Sequence, residues 1–159
     1  MAGASGWRYA TVSLTFWNDL AVRAWSDDGR TLALYLLTNP HRTGEGYYHL
    51  PLRLAADDLG WDDARFADAL AELRADDFVD VDETARLVLI VKALKYQPTI
   101  SGPSSLRGAI NAIERAKGSP RLFGRLLAAA DDYQPDLAAA IRAHYDLPEG
   151  AYQGAGEGP

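Results

Sequence analysis

Residues 51–91 read PLRLAADDLGWDDARFADALAELRADDFVDVDETARLVLIV, and the fold turns on their changes of period. Leu52–Leu59 has the pattern of a helix and runs into Gly60, the residue type that most easily takes the left-handed C-cap conformation. Trp61-Asp62-Asp63 restarts a helix whose buried stripe is Phe66, Leu70 and Leu73, at i, i+4 and i+7. From Phe78 the period becomes two. Phe78–Asp82 alternates as a half-buried strand does, Glu83–Arg86 turns, and Leu87–Val91 returns as a buried strand. Two helices joined at a glycine turn and followed by a β-hairpin make a helix-turn-helix with a wing.

Upstream, Ser26-Asp27-Asp28 is an N-cap cluster, and Arg30–Leu37 is apolar nearly all round, as in a buried helix. Asn39-Pro40 stops it, because proline cannot continue a helix. Tyr47–Leu50 then reads as a short strand. Earlier still, Tyr9–Leu14 is expected as a strand, and Phe16–Trp25 as a short helix or turn with Trp17, Leu20 and Val22 inward. Residues 1–8 read as a loose leader.

Downstream of the hairpin, Gln97–Ser105 is a Pro- and Gly-containing linker. Three helices follow. Ser104/Ser105 caps one with Leu106, Ile110 and Ile113 inward, and Ser119-Pro120 starts a second, with serine at the cap and proline in the first turn. Pro135 opens the third, with Leu137, Ile141 and Tyr145 in line. The expected fold class is mainly α with a small β-hairpin wing: a winged helix-turn-helix at 9–96, a helical appendage at 104–146 and a disordered tail at 149–159.

Composition is that of a globular chain: 159 residues, 48% hydrophobic and 24% charged. The absence of cysteine excludes disulfides, thiolate metal sites and thiol catalysis. The apolar runs fall far short of the ~20 residues of a membrane span. The N-terminus has no apolar signal core, so a soluble, cytoplasmic protein is expected, without membrane association. Gly44-Glu45-Gly46 lacks the Gly-Lys-Ser of a phosphate loop. The adjacent aspartate pairs diverge on helices, and His41 and His49 have no third ligand in view. Trp7, Trp17, Trp25 and Trp61 are expected in core or cap packing, Trp61 at the turn being the most ambiguous. No catalytic residue, cofactor or metal is expected.

Net charge is −6, but it is segregated: residues 61–91 carry 3 basic and 9 acidic side chains, residues 92–125 carry 7 and 1. Such asymmetry points to a polyanion site or a self-complementary interface. The helix at 62–77 is a poor visitor to a DNA groove, since Asp62, Asp63, Asp68, Glu72, Asp76 and Asp77 outnumber Arg65 and Arg74. Its outward residues are expected to be Arg65, Asp68 and Glu72. The basic segment is the stronger candidate for duplex DNA: Lys92, Lys95 and Tyr96 leaving the wing, then Arg107, Asn111 and Arg115 at helical spacing, Lys117, and Arg121 with Arg125 on the next helix. The free amides near Ser119 offer a phosphate site, and Arg86 at the wing tip a minor-groove contact. The bland alternative is that these cations neutralise acidic patches of the same fold.

The stretch TLALYLLTNPHRTGEGYYHLPLRLAADDLGWDDARFADALAELRADDFVDVDETARLVLIVKALKYQP, residues 31–98, resembles the N-terminal winged-helix region of phage replication initiators and their DnaD-like relatives. The resemblance rests on "YLLTNP", "GYYHLP", "LAADDLGW", "LAELRADDFVDVDE" and "ALKYQP", and continues into "LRGAINAIERAKGSPRLFGRLL". It implies a role at replication origins: binding DNA, self-associating or bridging to other replication proteins. The expected function is therefore that of a non-enzymatic DNA-binding protein of phage or prophage type. Two other functions fit the same fold. One is an interaction or oligomerisation module in which the acidic helix 62–77 of one copy meets the basic segment 92–125 of another. The other is a transcriptional regulator.

Overall fold

The computed structural model describes residues 9–151, in which the chain is mainly helical with one small antiparallel sheet. The leader at 1–8 and most of the tail expected at 149–159 lie outside the described residues.

Residues 9–13 have no regular secondary structure in place of the expected strand. Ser13 Oγ instead accepts from the Thr15 amide at 3.2 Å and starts a turn, which leads to a 3-10 turn at Phe16–Asn18. Asp19 then caps α1 (Leu20–Ala24) by accepting from the Ala21 amide. This break at Asp19 corrects the inward set. Phe16 and Val22 are buried, whereas Trp17 and Leu20 are 58% and 82% exposed, because one helical period does not run through the whole segment.

Ser26 caps α2 (Asp27–Thr38), its Oγ accepting from the Gly29 amide at 3.0 Å, and two aspartates in the first turn suit the helix dipole. The helix stops at Asn39. The buried Asn39 amide donates to Tyr48 Oη at 3.0 Å, and that hydroxyl donates to Leu36 O at 2.7 Å. Next come β1 (Tyr47–His49), α3 (Leu52–Leu59) and α4 (Asp63–Ala75). Gly60, at φ +70°, lets the Trp61 amide reach back to Ala56 O at 3.0 Å and turns the chain between α3 and α4. β2 (Val79–Asp82) and β3 (Leu87–Ile90) form the hairpin, and β3 lies in the middle of the sheet order β1-β3-β2.

After the hairpin come α5 (Ala93–Tyr96), a short helix within the expected linker approach, then α6 (Pro103–Arg115), α7 (Pro120–Tyr133) and α8 (Pro135–Tyr145). The start of α6 differs from expectation: Pro103 occupies its first turn behind Gly102, and no serine side chain caps it. Ser119 does cap α7, accepting from the Leu122 amide.

The sheet's alternation divides the core in two. Tyr48, Val88 and Ile90 pack with Leu32, Phe66 and Leu73 of the α1–α4 layer. Tyr47, Leu87 and Leu89 point the other way, among Ile113, Leu122 and Ile141 of the α6–α8 layer. The link between hairpin and α6 is clamped by buried Gln134. Its Nε2 donates to Leu94 O and Gln97 O, both at 3.1 Å, and its Oε1 accepts from the Ile100 amide at 2.9 Å. Gln134→Ala strips the buried Ile100 amide of its acceptor. A loss of about 1–3 kcal/mol is expected in urea unfolding, with faster hydrogen exchange at Ile100.

Candidate nucleic-acid interface

The charges must first be sorted into those used inside the chain and those left over. On α4, Arg65 makes a two-pronged bond to Asp28 of α2, at 2.8 and 2.9 Å, and its guanidinium lies 4.6 Å from the Trp61 ring centre. Glu72 accepts from the Ser26 amide and hydroxyl, both at 2.6 Å, and Asp76 accepts from the Trp25 indole at 2.5 Å. Of the residues expected outward, Arg65 is exposed but paired with Asp28, whereas Glu72 is half-buried and tied to the start of α2, where the unpaired amides and the positive end of the dipole attract a carboxylate. What α4 leaves open includes Ala64, Ala67, Asp68 and Ala71. Trp25 and Trp61 are buried as expected; Trp7 lies outside the described residues.

Asp80 was expected on the solvent side of a half-buried strand. It is 6% exposed, because the second face of the sheet is covered by α7. Arg121 Nη1 and Arg125 Nη1 donate to its Oδ2 at 2.5 and 2.8 Å; Arg121 also donates to Val81 O, and Arg125 to both oxygens of Asp77. Burial alone would raise the Asp80 carboxyl, but the hydrogen bonds from Arg121 and Arg125 outweigh it and hold the group below its ordinary value. Arg121 and Arg125, expected at DNA, are thus used inside the chain, and at Asp77–Arg125 the acidic and basic segments meet within one molecule. The amide end of α7 is also taken. Ser119 is buried, it caps Leu122, and the Asp82 carboxylate lies within its hydrogen-bonding reach. The phosphate site expected near Ser119 thus has its Leu122 amide capped and a carboxylate beside it.

Lys117 pairs with Glu114 at 2.7 Å. Bonds from Lys117, Tyr145 and His144 hold the Glu114 carboxyl down at about 2, tying α6 to α8. Arg142 likewise grips Asp131 on α7, at 2.5 and 2.7 Å.

The remaining candidates stay open to solvent. Lys92, Lys95, Tyr96, Arg107, Asn111 and Arg115 are all exposed. Lys95 Nζ sits 5.5 Å from the Tyr96 ring centre, and Arg115 Nε bonds only the Asn111 carbonyl of its own helix. Arg86 is exposed at the hairpin turn in a left-handed conformation (φ 56°), its carbonyl accepting from the Leu50 amide. Among the described residues, none of Arg86, Lys92, Lys95, Arg107 and Arg115 forms an ion pair, although Arg115 lies in the field of the buried Glu45; Glu114, the sole acidic residue of the basic segment, is already engaged.

Sequence reasoning passed over Arg42. It lines two neighbouring cavities, of about 460 and 390 Å³, and forms no ion pair or side-chain hydrogen bond with any described residue. Nothing local marks it, since its setting arises from the approach of residues 9–15 and Gln97. Comparison with protein-family models, curated proteins and solved structures gives no match. No helix among the described residues is long and apolar enough to cross a membrane.

Because Asp80 has a lowered folded-state pKa, its stabilisation is complete above the ordinary carboxylate value of about 3.9 and is lost as pH falls through the folded value. Chemical denaturation should show Asp80→Asn weaker than the parent at pH 7, by about 2 kcal/mol, with the gap closing towards pH 2–3.

Proposed function

We propose that residues 9–96 form a winged helix-turn-helix and that the chain is a non-enzymatic DNA-binding protein of phage or prophage type, acting in replication initiation. The order α2-β1-α3-α4-β2-β3, the glycine turn between α3 and α4 and the antiparallel sheet support the first part. The replication role rests on the resemblance of residues 31–98 to phage initiators.

The observation that carries DNA binding is the charge left over. The chain as a whole is acidic, yet Arg86, Lys92, Lys95, Arg107 and Arg115 are exposed and form no ion pair among the described residues. Unpaired cations are what phosphates displace counterions to meet. The contact is therefore assigned to α5 and α6 with the hairpin turn, not to α4. Lys117, Arg121, Arg125 and Arg65 serve the fold.

A second reading draws on α4. Its open face presents Ala64, Ala67 and Ala71, side chains with no hydrogen-bonding group for base edges but small enough to allow close helix approach. A winged helix used for self-association fits that face.

Fluorescence anisotropy with a labelled random-sequence duplex separates the two. With about four cations meeting phosphate, log affinity should fall against log salt with a slope of about −4 between roughly 50 and 200 mM. Lys92→Glu/Lys95→Glu and Arg107→Glu/Arg115→Glu should each weaken binding at least about tenfold, while Arg65→Gln stays within about twofold. No binding at the lower salt sinks the DNA reading and leaves the interaction module.

A further inference from the structure

The larger of the two cavities beside Arg42 runs between the N-terminal segment 11–22 and the chain leaving the hairpin. Its apolar wall includes Phe16, Val22, Trp25, Phe78 and Ile90. At about 460 Å³ it falls within the ~300–1,000 Å³ of small-molecule sites. Five charged residues line it, and the use made of them is uneven. Asp77 is paired with Arg125, Asp76 accepts the Trp25 indole, and Asp19 caps α1. Arg42 and Lys92 have no such partner among the described residues.

Thr11, Arg42 and Gln97 line both this cavity and its 390 Å³ neighbour, so they stand where the two meet. No side-chain hydrogen bond is made by any of the three within the described residues, and Arg42 Nε is buried without an acceptor. Burial lowers the Arg42 pKa, a cost of holding a guanidinium away from water and from a counter-charge. The buried Glu45 nearby exerts a field on Arg42 but forms no ion pair with it. A hydroxyl, a guanidinium and an amide facing one junction, with an apolar chamber beside it, suit an anion carried by an apolar body.

We propose that this junction binds the phosphate of an unpaired nucleotide in single-stranded DNA, with its base in the larger cavity. The inference rests on the DNA-binding reading and deepens it. Lys92 and Tyr96 belong both to the cavity lining and to the exposed basic face, so a strand leaving the cavity continues onto Tyr96 and Lys95. An exposed aromatic beside a cation suits the next base and phosphate of a single strand. A base in a duplex is stacked and paired and cannot enter, so the cavity selects unpaired DNA. Asp19 and Asp76 line the same cavity and are engaged with the Ala21 amide and the Trp25 indole, so the anion is placed at the Arg42 junction.

The test compares Arg42→Gln with the parent, using labelled oligodeoxythymidylate and a duplex of equal length. Among the described residues Arg42 donates no side-chain hydrogen bond, so the variant removes none of theirs, and an unchanged melting temperature verifies that. The expected result is at least a tenfold loss for the single strand and less than a twofold change for the duplex. An oligonucleotide carrying 5-iodo-deoxyuridine should also photo-cross-link to a peptide containing Phe16, Trp25, Phe78 or Tyr96. Equal loss on both DNAs, no loss on either, or cross-links confined to α6 overturns the cavity assignment while DNA binding stands. Tighter binding of decanoate than of thymidine 5′-phosphate, read by Trp fluorescence, reassigns the cavity to acyl carboxylates and overturns it too. Failure of the parent to bind either DNA overturns this inference together with the function it rests on.

Discussion

A three-stranded sheet buried on both faces is the constraint on which the remaining structure depends. β3 is Leu-Val-Leu-Ile, four buried residues without a polar atom in their side chains, and it lies between β1 and β2. Alternation sends Val88 and Ile90 to one side and Leu87 and Leu89 to the other. One helical layer covers only half of that apolar surface. α6–α8 supply the other half, and at ~1.5–3 kcal/mol for each large side chain removed from water the second layer is a major part of the folding energy. The Gln134 clamp and the Glu114 cluster follow from it: the first holds this layer to the chain that leaves the hairpin, and the second holds α6 to α8 within it.

The same two-sided burial explains the electrostatics. A strand covered on both sides has no solvent face, so Asp80 is enclosed, and an enclosed carboxylate needs hydrogen-bonded cations. Arg121 and Arg125 provide them. On the opposite layer, the first turn of α2 takes up Glu72 while Asp28 holds Arg65. Much of the acidic helix and part of the basic segment are consumed in this way. Among the described residues there remain a smaller set of cations around α5 and α6 and the guanidinium of Arg42, which has no ion pair, between two cavities. Function is read from that remainder rather than from the total charge.

Much of the element order was legible along the chain. α3 with Gly60, α4 behind Asp62, the hairpin, and the serine-proline start of α7 all carry local signals: caps, a left-handed glycine, a switch of period from 3.6 to two. The failures also have local causes. Tyr9–Leu14 alternates like a strand, but no strand of the sheet pairs with it. Trp17 and Leu20 fit a helical face, but Asp19 interrupts the helix. In both places a pattern existed without the neighbour it needed.

The candidate site was legible only as a list of cations. By itself the sequence determined which residues carry charge, where helices and strands begin and end, and that positive charge gathers between residues 92 and 125. Those properties reside in short stretches of chain. The tertiary structure alone decided which charges are spent. Whether Arg121 meets a phosphate or Asp80, and what surrounds Arg42, depends on residues about 30 to 55 positions away. Contacts at that separation exist only once both layers have closed on the sheet.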